Sequence, residues 1–284
     1  LTARGWSRSD RLGMLRASMR WRAGGFTCAD PLTVQDLCTD VPARAMAELI
    51  EPLCVSALNL PAGQASGQVF LRVLRDALFG RGVAGFAPSA LLLPRQDLGA
   101  LFPEAAARWL AGRRAVVNTG VRVSGLRWVG DAWALMTDAG EARFDQVVWA
   151  TPAGSAAQTM HAAALGAHAQ ALRDWAAVAQ RLPHTAITTV YAHASGARLP
   201  LPVLALRGAP AQFVFDRGQL ADDPAHQGVL AFVISASNGE RDELQTAVLA
   251  QARDELGLAN LQPLQTVVEK RATFACLPAL HRPP

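Results

Sequence analysis

At residue 113 the spacing of the apolar side chains changes. Before it they recur three and four apart, which is the period of one helix face. After it they alternate with polar neighbours, which is the period of a half-buried strand. In DRLGMLRASMRWRA (residues 10–23), Leu12, Leu15 and Met19 share a face, and Gly24 and Gly25 follow as a stop. Residues 31–58 continue in helix, with Thr33 as an N-cap and Pro42 dividing the run in two. Val69, Val73, Leu74, Ala77 and Leu78 predict a helix over 66–79. Then Val121 and Val123, Leu126 and Trp128, and Trp133 and Leu135 alternate, with turns at GD and AG. Phe144, Val147, Val148 and Trp149 are expected to close this meander. Further strands are expected at ITTVYAH, 202–206, 211–215, 228–235 and 264–274, with a helix over 240–256. Mixed α and β without clean alternation argues for two interleaved domains.

GRGVAG (80–85) matches G-x-G-x-x-G, the phosphate cradle of dinucleotide-binding folds. That motif needs a strand before it and a helix after it. Here a helix precedes it, and Pro88 and Pro94 prevent one from following. Gly80 is therefore read as a helix C-cap and the rest as loop, not as a cofactor cradle.

The remaining bulk features exclude more than they assign. The net charge of +4 is carried mostly by arginine, Lys270 being the one lysine, and no basic run is interleaved with aromatics. Nothing there calls for nucleic acid. Cys28, Cys38, Cys54 and Cys276 have neither metal nor C-x-x-C spacing, so no metal site is expected and the thiols read as buried and reduced. The first residues show no apolar signal segment, and no run approaches the ~18 apolar residues of a membrane span. The basic amphipathic helix at 10–23 is read as a surface helix, with an interfacial membrane role as the alternative. No serine-hydrolase, zinc-protease or P-loop pattern is present.

Several stretches together resemble one family. They are LIEPLCVSALNLP (49–61), ASGQVFLRVLRDALFG (65–80), LLLPRQDLGALFP (91–103), the meander ending in VVWATP (147–152), AQFVFDRG (211–218) and ATFACLP (272–278). In order along nearly the whole chain, they resemble the hydroxysqualene dehydroxylases, or squalene-associated FAD-dependent desaturases. That family lies within the flavin-containing amine oxidase and phytoene desaturase superfamily. The resemblance implies a mixed α/β, two-domain FAD-linked oxidoreductase fold of the amine oxidase type. It assigns 1–110 to a mostly helical part of the substrate domain and 111–155 to a β-meander of the FAD domain. It assigns 156–262 to the sheet and helices of the substrate domain, and 263–284 to a return toward the FAD domain. It places the family's FAD fingerprint upstream of Leu1 and a second flavin segment beyond Arg282 and Pro283, so the chain is expected to be part of a longer protein.

The implied cofactor is FAD, approached by the backbone of Val123 and by the turn Ala150, Thr151 and Pro152. The implied reaction is reductive removal of the hydroxyl of hydroxysqualene to give squalene, for hopanoid synthesis. It needs an acid for the departing water and a dry apolar pocket. Asp216 is the expected acid, oriented by Arg217; Glu51 is a second candidate, and His184, His193 and His281 are read as surface or capping residues. The implied partners are the isoprenoid lipid substrate and squalene-synthase-type enzymes. A cytoplasmic location follows, with peripheral contact at the inner membrane face. Two alternatives stand beside this reading. One is a phytoene-type desaturase or another flavin amine oxidase; the other is a non-enzymatic isoprenoid-binding or scaffold protein.

Overall fold

A computed structural model describes residues 5–221 and 223–283. The chain divides into two compact units: Leu1–Leu101 with His184–Leu280, and Phe102–Pro183 with His281–Pro284.

The first unit begins with helices α1 (Arg8–Ala23), α2 (Val34–Leu37), α3 (Ala43–Ala45), α4 (Glu51–Leu58), α5 (Gly67–Phe79) and α6 (Leu98–Leu101). Ser7 and Thr33 cap α1 and α2 through capping boxes with Asp10 and Asp36. Each cap hydroxyl accepts from the amide of the box acid and donates to its carboxylate, which also accepts from the cap amide; the hydroxyl bond first and the amide bond second hold both carboxyls below the usual range. Pro42 precedes α3, and the helix then runs through a π turn, Met46–Ile50, into α4. Pro52 supplies no N–H to the Glu48 carbonyl, and the wider turn accommodates that gap. Ser66 caps α5, whose Phe70, Leu71 and Leu74 enter a core with Trp21, Val34, Ile50, Cys54 and Leu58. A Cβ on Gly67 would lie 2.7 Å from the Leu37 side chain, so glycine lets α5 start against α2.

Burial pushes the thiols of Cys38 and Cys54 in this core up to about 12. Their folded pKa lies above that of a free thiol, so the stability they contribute is intact below about pH 8.5. It declines as pH rises toward 12, because only the unfolded chain then releases these protons. In a thiol-labelling time course at pH 8, Cys28 and Cys276, which are half-buried, are expected to react first, and Cys38 and Cys54 only on unfolding.

The second unit starts with α7 (Pro103–Ala111) and an antiparallel meander, β1 (Val123–Val129), β2 (Ala132–Thr137) and β3 (Gly140–Phe144). Helices α8 (Ala153–Ala162) and α9 (Ala169–Gln180) pack together through Ala157, Ala176 and Ala179. The meander ends at Phe144 rather than at Trp149. Residues 147–149 have no ladder partner among the described residues, and a strand needs one to satisfy its amides. Val148 is accordingly 92% exposed, and the buried Trp149 Nε1 has no acceptor.

The chain then re-enters the first unit with β4 (His184–His193), β5 (Val203–Ala205), β6 (Phe213–Asp216), α10 (Arg217–Leu220), β7 (Val229–Ser237), α11 (Arg241–Leu256) and β8 (Gln262–Phe274). The strands form one antiparallel sheet in the order β5-β6-β7-β4-β8. One face carries Val190, Ala192, Val214, Leu230, Phe232 and Ile234, and α11 covers it with Leu244, Val248 and Ala252. The unit boundaries differ from those drawn at 110, 155 and 262: α8 and α9 fall in the second unit, and β8 pairs with β4 in the first. Among the described residues no helix is long and apolar enough to cross a membrane.

Candidate functional site

The expected cofactor residues all lie in the second unit. Val123 opens β1, is 39% exposed, and is followed by a bulge before Gly125. Ala150 and Thr151 are exposed, and Pro152 is the N-cap of α8. No side chain caps that helix, and its first turn, Ala153, Gly154 and Ser155, holds small residues and no acid. Its leading amides therefore receive no side-chain cap. A shallow cleft of about 480 Å³ lies nearby in the chain, lined by Ala132, Arg143, Phe144, Asp145 and Gln146. Trp128, Trp133 and His168 form a ring cluster, with centroids 4.9 to 5.6 Å apart.

GRGVAG is a turn. Gly80 caps α5, and Ala84 and Gly85, both at positive φ, sit between the bridged residues Val83 and Phe86. This is the pattern of a tight hairpin turn. A Cβ on Gly82 would come within 2.1 Å of the Phe86 carbonyl, so the glycines serve the turn and leave no cradle to explain.

The expected catalytic pair lies in the first unit. Asp216 is 2% exposed and caps α10. Its carboxylate accepts from the amides of Leu199 at 2.9 Å and Gln219 at 3.2 Å, and from Gln219 Nε2 at 2.6 Å. Arg217 forms no ion pair with it among the described residues; Gln219 takes the orienting role expected of that arginine. On β6, Asp216 shares the parity of Val214, so it stands on the face that α11 covers. Glu51 accepts from the Ala62 amide at 3.2 Å and so ties α4 to the following loop. His184 and His193 are the end residues of β4, and His281 falls in the second unit.

Sequence reasoning missed the other face of the sheet. The register lays two rows across it: Val203, Phe215, Ala231, Tyr191 and Gln265, then Ala205, Phe213, Val233, Thr189 and Val267. None of these residues belongs to an apolar core cluster. Phe213, Phe215, Val233, Thr189 and Tyr191 are half-buried at the centre, and Ala205, Gln265 and Val267 are exposed at the two edges. Neither row holds a charged side chain. Across five strands the face spans about 19 Å. The signal was present in QFVF and LAFVIS, where both parities are apolar, which is the mark of a strand whose two faces both avoid water.

No family model matches the chain, and no curated protein matches it. Solved structures do. An oxidoreductase from Methanosarcina mazei matches with a TM-score of 0.67 at 14% identity, over 93% of this chain and 61% of that one. Reduced UDP-galactopyranose mutase matches at 0.63 and 14%, over 95% and 62%. Putrescine oxidase with putrescine bound matches at 0.59 and 14%, over 96% and 65%. The chain therefore spans 61% to 65% of the length of these structures. At such identities the likeness is one of fold: the chain has the mixed α/β fold of the amine-oxidase-type FAD-dependent oxidoreductases, as the sequence resemblance implied.

Proposed function

We propose that this chain is part of an FAD-dependent oxidoreductase that reductively removes the hydroxyl of hydroxysqualene to give squalene. The fold match over more than nine-tenths of the chain supports the oxidoreductase class. The observation that carries the choice of substrate is the pair of uncharged, mostly apolar rows at the centre of the open sheet face, with Glu269 of the adjoining row at the exposed β8 edge. A diamine such as the putrescine of one structural relative needs carboxylates for its ammonium groups, and neither row offers one. A long neutral isoprenoid needs only apolar area and exclusion of water.

In this reading the Val123 backbone and the Ala150–Thr151–Pro152 turn hold part of the FAD. Reduced flavin supplies the hydride when bound. The sheet face orients the chain of the substrate and keeps water from it. Asp216 acts as a positioning group that fixes the end of β6, and no proton transfer is assigned to it.

The test uses the whole polypeptide that carries this sequence, with chemically reduced flavin and no oxygen. Hydroxysqualene is expected to give squalene. No squalene in that assay, together with desaturation of phytoene in a parallel assay with oxidised flavin and a quinone acceptor, would favour the desaturase alternative. Binding of either lipid without turnover would favour the scaffold.

A further inference from the structure

We propose that Asn238 is a site of spontaneous covalent modification: the backbone nitrogen of Gly239 closes a succinimide on its side chain, and the isoaspartate that follows loosens α11 on the sheet. The inference concerns the first unit alone and does not depend on the proposed reaction.

Asparagine is one of the thermolabile side chains. Its reaction needs a side-chain amide that nothing holds, a following backbone nitrogen free to attack, and no bulk between them. The chain has four asparagines, and only Asn238 is followed by glycine. Asn238, Gly239 and Glu240 are exposed. They lie between the end of β7 at Ser237 and the start of α11 at Arg241, so no ladder engages the Gly239 amide. Among the described residues neither the Asn238 side chain nor the Gly239 amide forms a hydrogen bond. Gly239 stands at φ 141°, which other residues rarely adopt, and it has no Cβ to block the approach. The other asparagines lack one of these conditions. Asn59 is buried and bonded, Asn118 precedes the β-branched Thr119, and Asn260 precedes Leu261.

The chemistry balances with water as the only reagent. The Gly239 nitrogen loses its proton and bonds to Asn238 Cγ; the Cγ–Nδ2 bond breaks, and ammonia leaves with that proton. Water then opens the ring. Entry at Cγ gives aspartate. Entry at the main-chain carbonyl carbon breaks the original peptide bond and leaves the chain running through Cγ as isoaspartate, a methylene longer. Only residues 238–240 link β7 to α11, so the added atom finds little slack. A Cβ placed on Gly239 would lie 3.4 Å from the side chain of Leu244, the first buried residue of α11. Leu244, Val248 and Ala252 are the residues that α11 lays on the sheet. A longer link therefore displaces Leu244, and the first turns of α11 are where the contact is lost.

The test ages the whole polypeptide that carries this sequence at mildly alkaline pH, beside a sample unfolded in urea. Trypsin releases residues 218–241 as one peptide. Mass spectrometry reads the exchange of amide for acid, and an isoaspartyl methyltransferase with tritiated S-adenosylmethionine reads the isoaspartate. Hydrogen exchange over 241–256 reads α11 by itself. The folded protein is expected to convert Asn238 ahead of Asn118 and to leave Asn59 intact. It is expected to take up methyl label in the 218–241 peptide and, once aged, to exchange its α11 amides faster. Asn238→Gln, or Asn238→Ser should glutamine disturb the turn, is expected to age with neither the label nor the faster exchange. An Asn238 that stays an amide in the folded protein while the urea sample converts would overturn the inference, because the fold would then protect the site. So would full conversion with unchanged exchange in α11, or an equal loss of protection in the aged Asn238→Gln variant.

Discussion

Replacing Asn59 by alanine is expected to lower the unfolding free energy by about 3 kcal/mol, read from urea titration. Asn59 ends α4 in the left-handed region at φ 54° and is buried. Its Nδ2 donates to Thr185 Oγ1 at 2.8 Å and to the Ala186 carbonyl at 3.3 Å, and its Oδ1 accepts from the Ala236 amide. Thr185 in turn bonds Thr273, so one side chain ties α4 to β4, β7 and β8. Alanine leaves the Ala236 amide without a partner and also strains the backbone. Asn59→Gly separates the two effects, because glycine accepts positive φ freely. It should recover about 1 kcal/mol of the loss. A loss under about 1 kcal/mol for Asn59→Ala would show that the junction does not hold the sheet to the helices.

Asp216 gives the second large effect. Asp216→Ala leaves the buried Leu199 amide unpartnered and removes the cap of α10, and is expected to cost about 3 kcal/mol. Asp216→Asn keeps the size and one acceptor oxygen and should lose about half of that. In the whole polypeptide, activity of Asp216→Asn is expected to fall only in step with the folded fraction. A fully folded Asp216→Asn variant that has lost more than a hundredfold in kcat would restore the carboxyl as the proton donor.

The sequence was legible where local chemistry decides. Thr33 announced its cap, Gly80 its helix end, and the strands around Val203, Phe213 and Val229 their positions, because hydroxyl capping and two-residue periodicity act within a few residues. It was illegible where the deciding partner is remote. Asn59 lies 126 residues from Thr185 and 177 from Ala236, and nothing in LNLP marks it as a junction. The family-like stretches 49–61, 65–80 and 272–278 prove to meet there and at the Ser66 amide, which donates to the Cys276 carbonyl at 2.7 Å. Their shared pattern thus has a packing reason as well. Asp216 read as a catalytic acid oriented by the arginine beside it, because Leu199 and Gln219, which fix it, carry no signal. The VVW run read as the end of the meander from its apolar spacing, and spacing supplies no ladder partner.

The measurement that bears most directly on the central claim is the identity of the flavin in the purified polypeptide that carries this sequence, released by acid and separated by chromatography. The flavoenzyme reading predicts FAD, close to one per chain. Protein that is folded and contains no flavin after reconstitution with FAD would contradict it and leave the non-enzymatic isoprenoid-binding or scaffold reading in its place.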